Sequence, residues 1–209
     1  MIALPRLYPI LDAGCFDNAH GLIAAAEELA LAGVTLIQYR NKSGHARGML
    51  EQARELKTRC RTGVSDPHIQ LIMNDRADLC LAADFDGVHV GQDDLSAESV
   101  RKIIGPQRWL GVSTHNPDQL READLTSADY LALGPVFATA SKDRPDPVVG
   151  LEGVRRAHAL TRKPLVAIGG ITRANAAFVI EAGADSVAVI SDLLREPGKS
   201  AEEFWQILR

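Results

Sequence analysis

The sequence predicts an α/β protein in which eight parallel strands close a (β/α)8 TIM barrel. Short apolar runs alternate with amphipathic segments along the whole chain, the count of strand-helix units reaches eight, and the runs lack internal polar alternation. Strands of this kind are typical of a parallel sheet that is covered on both faces. We therefore expect residues 1–209, with 46% hydrophobic content, to form a single barrel domain.

The strands are predicted from the apolar runs, which are short and rich in Leu, Val, Ile and Ala. Polar or glycine-containing stretches bound each run. The eight predicted strands cover residues 7–11, 35–39, 69–73, 87–90, 110–112, 130–133, 165–168 and 186–190.

The helices are predicted from amphipathic patterns that follow the strands. Asp17 or Asn18 is a candidate N-cap for a first helix that ends near Ala32, where Gly33 supplies the C-terminal stop. The other helical patterns cover residues 46–60, 76–82, 117–123, 151–160, 173–182 and 201–208. An open doubly wound sheet is the alternative fold, but the chain has neither a G-x-G-x-x-G turn nor a second domain to accompany it.

The charge balance excludes some classes of partner. The 23 Lys and Arg residues against 27 Asp and Glu give a formal net charge of −4, so we expect neither nucleic-acid binding nor a basic membrane-binding patch. No apolar run approaches the roughly 20 residues of a membrane-spanning helix. The three cysteines have no metal-ligand spacing and the N-terminus does not resemble a signal peptide, which favours the cytoplasm. The oligomeric state stays open, a homo-oligomer included.

The central polar feature lies after the third predicted strand, where the run Leu71-Ile72-Met73 stops at Asn74-Asp75. In a barrel, ligands bind at the carboxyl ends of the strands, so these side chains are expected on the catalytic rim. A carboxylate beside an amide oxygen suits Mg²⁺ or a polar substrate. The alternative is that Asn74 and Asp75 only cap the helix that follows.

Two anion sites are predicted on the same rim. Arg40, Lys42 and Lys142 follow strand ends in a chain that is acidic overall, which indicates a pyrophosphate-like ligand. Asp75 and Asp94 would repel that ligand unless Mg²⁺ lay between them. The second site is predicted from Gly169-Gly170 and Ile190-Ser191, at the strand ends where barrels frequently bind phosphate. The connection 134–150, which carries Lys142, is too long and polar for a simple joint and is predicted to be a lid.

Seven strings along nearly the whole chain together resemble the thiamine phosphate synthase family. They read, in order, Q-Y-R-N-K, N-D, H-V-G-Q-D-D, G-V-S-T-H, G-P-V-F-A-T-A-S-K, I-G-G-I and V-I-S. The resemblance implies a transferase that joins a pyrimidine methyl diphosphate to a thiazole phosphate and releases pyrophosphate, with Mg²⁺ on the diphosphate. The sequence departs from the family at two positions: Leu11 precedes Asp12 where the family commonly has Thr for a first-strand contact, and Ser141 stands where Thr is more usual.

The resemblance also assigns roles to individual residues. It implies that Asp75 and Asp94 hold Mg²⁺. It implies that Arg40, Ser113 and Lys142 act at the reacting diphosphate. The implied contacts to the pyrimidine diphosphate are Gln38, Arg40, Lys42, Asn74, Ser113 and Lys142. The implied contacts to the thiazole phosphate are Thr139, Ala140, Ser141, Gly170, Ile190 and Ser191.

Two other functions are compatible with the sequence. One is an isomerase on the same barrel, either a thiazole tautomerase or a sugar-phosphate epimerase, and the other is a barrel that binds phosphate without catalysis. The retained pair Asp75 and Asp94 favours the synthase over both. His89, next to an apolar strand, is predicted to be a hydrogen-bonded core histidine, and His115 is left without a role.

Overall fold

Eight parallel strands close a barrel in chain order in the computed structural model, which describes residues 2–62, 69–139 and 146–209. β1 pairs with β2 on one side and with β8 on the other, so the sheet has no free edge. The predicted TIM barrel is confirmed. The strands are β1 (Leu7–Asp12), β2 (Leu36–Arg40), β3 (Gln70–Asn74), β4 (Gly87–Val90), β5 (Trp109–Thr114), β6 (Tyr130–Leu133), β7 (Leu165–Ile168) and β8 (Ser186–Val189).

An α-helix follows each strand and covers the outside of the barrel. A short 3-10 helix, Ala13–Cys15, precedes the first of them. The helices are α1 (Ala19–Leu31), α2 (Ala46–Thr62), α3 (Ala77–Ala83), α4 (Ala97–Ile104), α5 (Pro117–Asp124), α6 (Gly150–Leu160), α7 (Ala176–Glu181) and α8 (Pro197–Ile207). None of the helices in the described ranges is both long and apolar enough to cross a membrane.

The ends of α1 follow the sequence prediction. Asn18 is the N-cap, and its side-chain oxygen accepts a hydrogen bond of 3.0 Å from the backbone N–H of Gly21. Ala32 is the C-cap, and Gly33 follows with φ of 81°, a left-handed conformation that glycine adopts without a steric penalty.

Two helices differ from the prediction for identifiable reasons. α7 begins at Ala176, whereas the pattern predicted a start at Arg173. The side chain of Asn175 accepts from the Thr172 N–H at 2.8 Å, which closes a turn ahead of the helix. α8 begins four residues before its predicted start because Pro197 occupies its first turn, where the missing N–H costs no helical hydrogen bond. α4, for which no bounds were predicted, begins after the N-cap Ser96.

The barrel has a small interior cluster and a larger layer between strands and helices. Because neighbouring residues of a strand face opposite sides, every second residue points into the barrel. The interior cluster contains two phenols among aliphatic groups, and consists of Tyr8, Ile10, Leu36, Ile72, Tyr130, Ala132, Val166 and Ala188. The polar side chains that point into the barrel lie nearer the carboxyl ends of the strands than this apolar cluster does.

Candidate active site

A cavity of about 900 Å³ opens at the carboxyl ends of the strands. All the predicted site residues that fall within the described ranges line it, although they come from seven different strands or the loops after them. They are Gln38, Arg40, Lys42, Asn74, Asp75, Asp94, Ser113, Thr139, Gly170, Ile190 and Ser191. The remaining predicted site residues, Ala140, Ser141 and Lys142, lie outside the described residues.

Two of the predicted phosphate-binding cations are each paired with a carboxylate. The Arg40 guanidinium forms an ion pair with Asp12, the last residue of β1, in a largely buried position. Lys42 Nζ lies 2.5 Å from Asp75 Oδ2, with 55% of the lysine side chain exposed and 19% of the aspartate. Because Lys42 is mostly in solvent, its pair with Asp75 is screened and costs little to break.

The backbone of Asp75 is held in an unusual conformation. Its φ is 63°, in the left-handed region, and its N–H donates to the His89 carbonyl at 2.8 Å. Asp tolerates this region better than most residues, but such conformations are uncommon and cluster at functional sites. The capping alternative is not borne out, because the N-cap of α3 is Arg76 and makes no side-chain capping bond. Asp75 is therefore directed into the cavity and not at the helix.

The two rim carboxylates make a site that suits a divalent cation. Burial raises the pKa of Asp75, the Lys42 ammonium opposes this, and the adjacent Asp94 carboxylate raises the pKa again. Asp94 is itself fixed, because its Oδ2 accepts from the Gly91 N–H at 2.7 Å. Two carboxylates this close repel each other, and a cation between them removes the repulsion. The described residues offer no metal site of three or more Asp, Glu, His or Cys side chains, so Mg²⁺ here would take its other ligands from phosphate oxygens and water.

A chain of buried polar groups crosses the floor of the cavity. Gln38 Nε2 donates to the Tyr8 hydroxyl at 3.0 Å, and the hydroxyls of Tyr8 and Tyr130 are 2.9 Å apart. The Tyr130 hydroxyl lies 3.1 Å from His89 Nδ1, and His89 Nε2 lies 2.8 Å from Ser113 Oγ. His89 is only 7% exposed, which confirms the prediction of a hydrogen-bonded core histidine. The chain links two of the predicted substrate contacts, Gln38 and Ser113.

The opposite side of the cavity is formed by the loops after β7 and β8. Gly169 and Gly170 have φ of 99° and 63°, and a side chain on Gly170 would collide with the Ala138 carbonyl. Asn175 Nδ2 donates to the Gly170 carbonyl at 3.0 Å, which holds the loop in place. Glycine backbone turned toward a cavity beside Ser191 suits a phosphate that is bound by N–H groups and a hydroxyl.

His115 lies at the edge of the cavity next to the predicted lid. Its Nδ1 donates to the Gly134 carbonyl at 2.5 Å, and its Nε2 lies 3.5 Å from Asp146 Oδ2. These contacts connect the end of β5 with both described ends of the 134–150 segment. His115 therefore holds the two described ends of this segment at the edge of the cavity.

Sequence reasoning missed the contributions of Tyr8, Tyr130 and Asp12. A usable signal was present, because a period of two along β1 places Tyr8, Ile10 and Asp12 on the same inward row. The strand register points the same way: Asp12 is paired with Arg40, and Gly111 is paired with both His89 and Tyr130. Reading the strands as uniformly apolar hid the few inward polar groups.

Comparison with known proteins gives a consistent result. The family model described as thiamine monophosphate synthase matches residues 7–193. A protein of Koribacter versatilis called thiamine-phosphate synthase is 58% identical over 210 residues, which cover 99% of this chain and 97% of the relative. One of the same name from Chloroflexus aurantiacus is 44% identical, covering 89% and 83% of the two chains. The solved structure of a thiamine phosphate pyrophosphorylase from Pyrococcus furiosus is 33% identical, with a TM-score of 0.84 and coverage of 97% and 95%.

Proposed function

Because the chain belongs to the thiamine monophosphate synthase family, we propose that it condenses an aminopyrimidine methyl diphosphate with thiazole phosphate or carboxythiazole phosphate. The products are thiamine phosphate and pyrophosphate. Membership of the family makes the chain a transferase of thiamine biosynthesis. The observation that carries the finer proposal is one cavity with two anion-binding sides, a charged rim on β2 to β4 and a glycine-rich pair of loops after β7 and β8. Two anion sites fit two phosphorylated substrates.

The proposed reaction begins with departure of the diphosphate. The carbon that it leaves is attached to an electron-rich aminopyrimidine ring, which stabilises a cation, and the thiazole nitrogen then traps that cation. The protein needs to stabilise the departing negative charge and to hold the second substrate in line. Asp75 and Asp94 would hold Mg²⁺, and a bound Mg²⁺ would neutralise charge on the diphosphate.

The side chains on the rim have specific tasks in this proposal. Lys42 exchanges its contact with Asp75 for the diphosphate, which the mostly exposed position of the lysine permits. Arg40 keeps its ion pair with Asp12, which orients the guanidinium so that its remaining N–H groups face the same anion. Asn74 and Ser113 add neutral hydrogen bonds. Lys142 completes the set of cations, and Thr139, Ala140 and Ser141 contact the thiazole.

The opposite loops position the nucleophile. Backbone N–H groups at Gly170, Ile190 and Ser191 donate hydrogen bonds to the thiazole phosphate, so no charged side chain is needed on this side of the cavity. The side chains of Ile10, Ala132 and Val166 add apolar surface to the lining of the same cavity. Apolar surface of this kind would reduce capture of the pyrimidine cation by water.

The test of the function is pyrophosphate release from the two substrates, measured with and without Mg²⁺. We expect release and coupled product in equal amounts when both substrates and Mg²⁺ are present, and at least a hundredfold slower release after chelation. Release of no pyrophosphate under any of these conditions would rule out the synthase and leave a tautomerase, an epimerase or a binding barrel. Substituting carboxythiazole phosphate in the same assay decides which thiazole is preferred.

We also propose that the protein works in the cytoplasm on small molecules, independently of nucleic acid. This is supported by the formal net charge of −4 and by Cys15, Cys60 and Cys80, all of which are free thiols. Light scattering would decide whether it works as a monomer or a homo-oligomer.

A further inference from the structure

The polar chain on the cavity floor has one arrangement of protons in which both phenols accept and donate a hydrogen bond within the chain. Gln38 Nε2 carries only donors, so the Tyr8 hydroxyl accepts at that contact. If Tyr8 then donates to Tyr130, and Tyr130 donates to His89 Nδ1, each phenol accepts one hydrogen bond and donates one. The opposite direction makes Tyr8 accept twice and leaves its own proton without an acceptor among the described residues.

The same argument assigns the ring proton of His89. The His89 ring is buried and both of its nitrogens contact neutral hydroxyl groups, which favours the neutral imidazole with a single ring proton. If Nδ1 accepts from Tyr130, that proton is on Nε2 and is donated to Ser113 Oγ. Burial raises the pKa values of Tyr8 and Tyr130, so both phenols keep their protons.

We infer that Tyr8, Tyr130 and His89 are positioning residues that set the direction of this hydrogen-bond chain and thereby present Ser113 to the substrate as a donor. Because the Ser113 oxygen accepts from His89, its own proton is left to point into the cavity. The inference rests on the proposed function in one respect, which is that the group accepting the Ser113 proton is an atom of the pyrimidine diphosphate. At the other end, Gln38 Oε1 accepts no hydrogen bond from the described residues and faces the same cavity as an acceptor.

Glycine at position 111 makes the central contact of the chain possible. In the strand register Gly111 lies between His89 on β4 and Tyr130 on β6. A Cβ at this position would overlap both the Tyr130 ring and His89 Nδ1. Because Gly111 has no side chain, the rings of His89 and Tyr130 approach to 5.5 Å between their centroids across β5 and can form their hydrogen bond. Ser113 is held at the same time, because Gln92 Nε2 donates to its carbonyl at 2.6 Å.

The direct test is ¹⁵N NMR of the histidine rings in the unliganded wild-type protein near pH 7. The nitrogens of a neutral imidazole resonate far apart, and the position of each reports whether it carries the proton. His89 is assigned among the six histidines by the loss of its signals in His89→Gln. We expect a proton on Nε2 and none on Nδ1. A proton on Nδ1 would overturn the inference, because Ser113 would then donate to His89 and not to the substrate.

Variants test the consequence for catalysis. In Tyr130→Phe, His89 Nδ1 loses its donor, so we expect a mixture of tautomers and a kcat about tenfold lower, with KM values within about twofold of wild type. In Tyr8→Phe, Tyr130 keeps its proton but no longer accepts from Tyr8, so the bias from Gln38 is lost; we expect some of the Nδ1–H form to appear, but less than in Tyr130→Phe. The matched control is Tyr39→Phe, which removes a buried strand phenol that bonds Gln52 outside the barrel at 2.6 Å.

These outcomes separate the inference from the proposed function. A kcat for Tyr130→Phe equal to that of Tyr39→Phe would overturn the positioning role. The tautomer measurement needs no substrate, so a wild-type protein that releases no pyrophosphate would refute the function while leaving the proton arrangement to be decided by the spectrum.

Discussion

Arg173 and Asp192 join the loops that follow β7 and β8. Arg173 donates to Asp192 from its backbone N–H at 2.8 Å, from Nε at 3.0 Å and from Nη2 at 3.0 Å, and its Nη1 forms an ion pair with Glu203 of α8. Neither Arg173 nor Asp192 lines the cavity, yet each lies within three residues of a proposed phosphate contact, Gly170 or Ser191. The two halves of the proposed phosphate site are thus held together by an ion pair beneath them.

Breaking this pair should weaken binding of the thiazole phosphate selectively. We expect Arg173→Met to raise KM for that substrate about tenfold, because the loops lose a bidentate, charge-assisted contact. KM for the pyrimidine diphosphate should change less than twofold. Steady-state kinetics with each substrate varied in turn measures both values. Arg155→Met is the matched control, since Arg155 makes an exposed pair with Glu152 on α6; an equal rise for both substrates would contradict a local role.

The same pair predicts a pH dependence of stability. Burial disfavours the charged form of Asp192, but the hydrogen bonds from Arg173 outweigh it and lower the pKa below the usual 3.8. A carboxyl whose pKa is lower in the folded state stabilises the protein above its unfolded pKa and loses that contribution as pH falls through the folded pKa. We therefore expect Asp192→Asn to lower Tm at pH 7 and the difference from wild type to shrink below about pH 3.8. A difference in Tm that is constant with pH would contradict the assignment.

The rim carboxylates should control the response to Mg²⁺. We expect Asp75→Ala and Asp94→Ala each to lower kcat about a hundredfold at limiting Mg²⁺ while circular dichroism stays close to wild type and Tm falls by a few degrees at most, because both carboxylates face the cavity. Asp78→Asn is the control, as Asp78 pairs with Arg76 in an exposed position on α3. Near-normal turnover of both alanine variants at limiting Mg²⁺ would disprove the metal assignment.

The barrel and most of the cavity lining were predictable because both follow from order along the chain. In a barrel, every residue just past an apolar run reaches the same rim, so Asn74, Asp94 and Ser191 needed no knowledge of the packing. The pairing of Arg40 with Asp12 and the chain through Tyr8 were not predictable in this way. The period of two along β1 puts Tyr8 and Asp12 in one row, but strands that are apolar on both faces do not show which row faces inward or how neighbouring strands are offset.

Gly170 should be indispensable for reasons that go beyond backbone strain. Its φ of 63° is unfavourable for other residues, and an added Cβ would also meet Phe137 and Ala138. We expect Gly170→Ala to destabilise the protein by about 2 kcal/mol and to raise KM for the thiazole phosphate at least tenfold. Gly33→Ala is the matched control, because Gly33 has φ of 81° and nothing within 4 Å of an added Cβ, so it reports strain alone. A wild-type KM in Gly170→Ala, measured below its Tm, would refute the loop's role.

The predicted lid on residues 134–150 starts from a well-defined base. The N–H of Val149 donates to the Pro135 carbonyl at 2.9 Å, and the N–H of Phe137 donates to the Gly169 carbonyl at 2.9 Å. These bonds tie both ends of the segment to each other and to the β7 loop. Lys142 lies outside the described residues, and its action on the diphosphate stays a prediction.

Removing Lys142 should change both the rate and the products. We expect Lys142→Ala to lower kcat about a hundredfold, because the departing diphosphate loses a stabilising cation. A lid that closes poorly would also admit water to the pyrimidine cation, so the fraction of pyrimidine alcohol should rise relative to thiamine phosphate. Lys142→Arg should recover part of the rate, since a planar guanidinium does not replace a compact ammonium at close range.

Single turnovers in which both products are quantified measure these effects, with Lys199→Ala on the exposed face of α8 as the control. Coupling by Lys142→Ala at the wild-type rate, together with equal proteolysis of the segment with and without substrate, would rule out the closing lid.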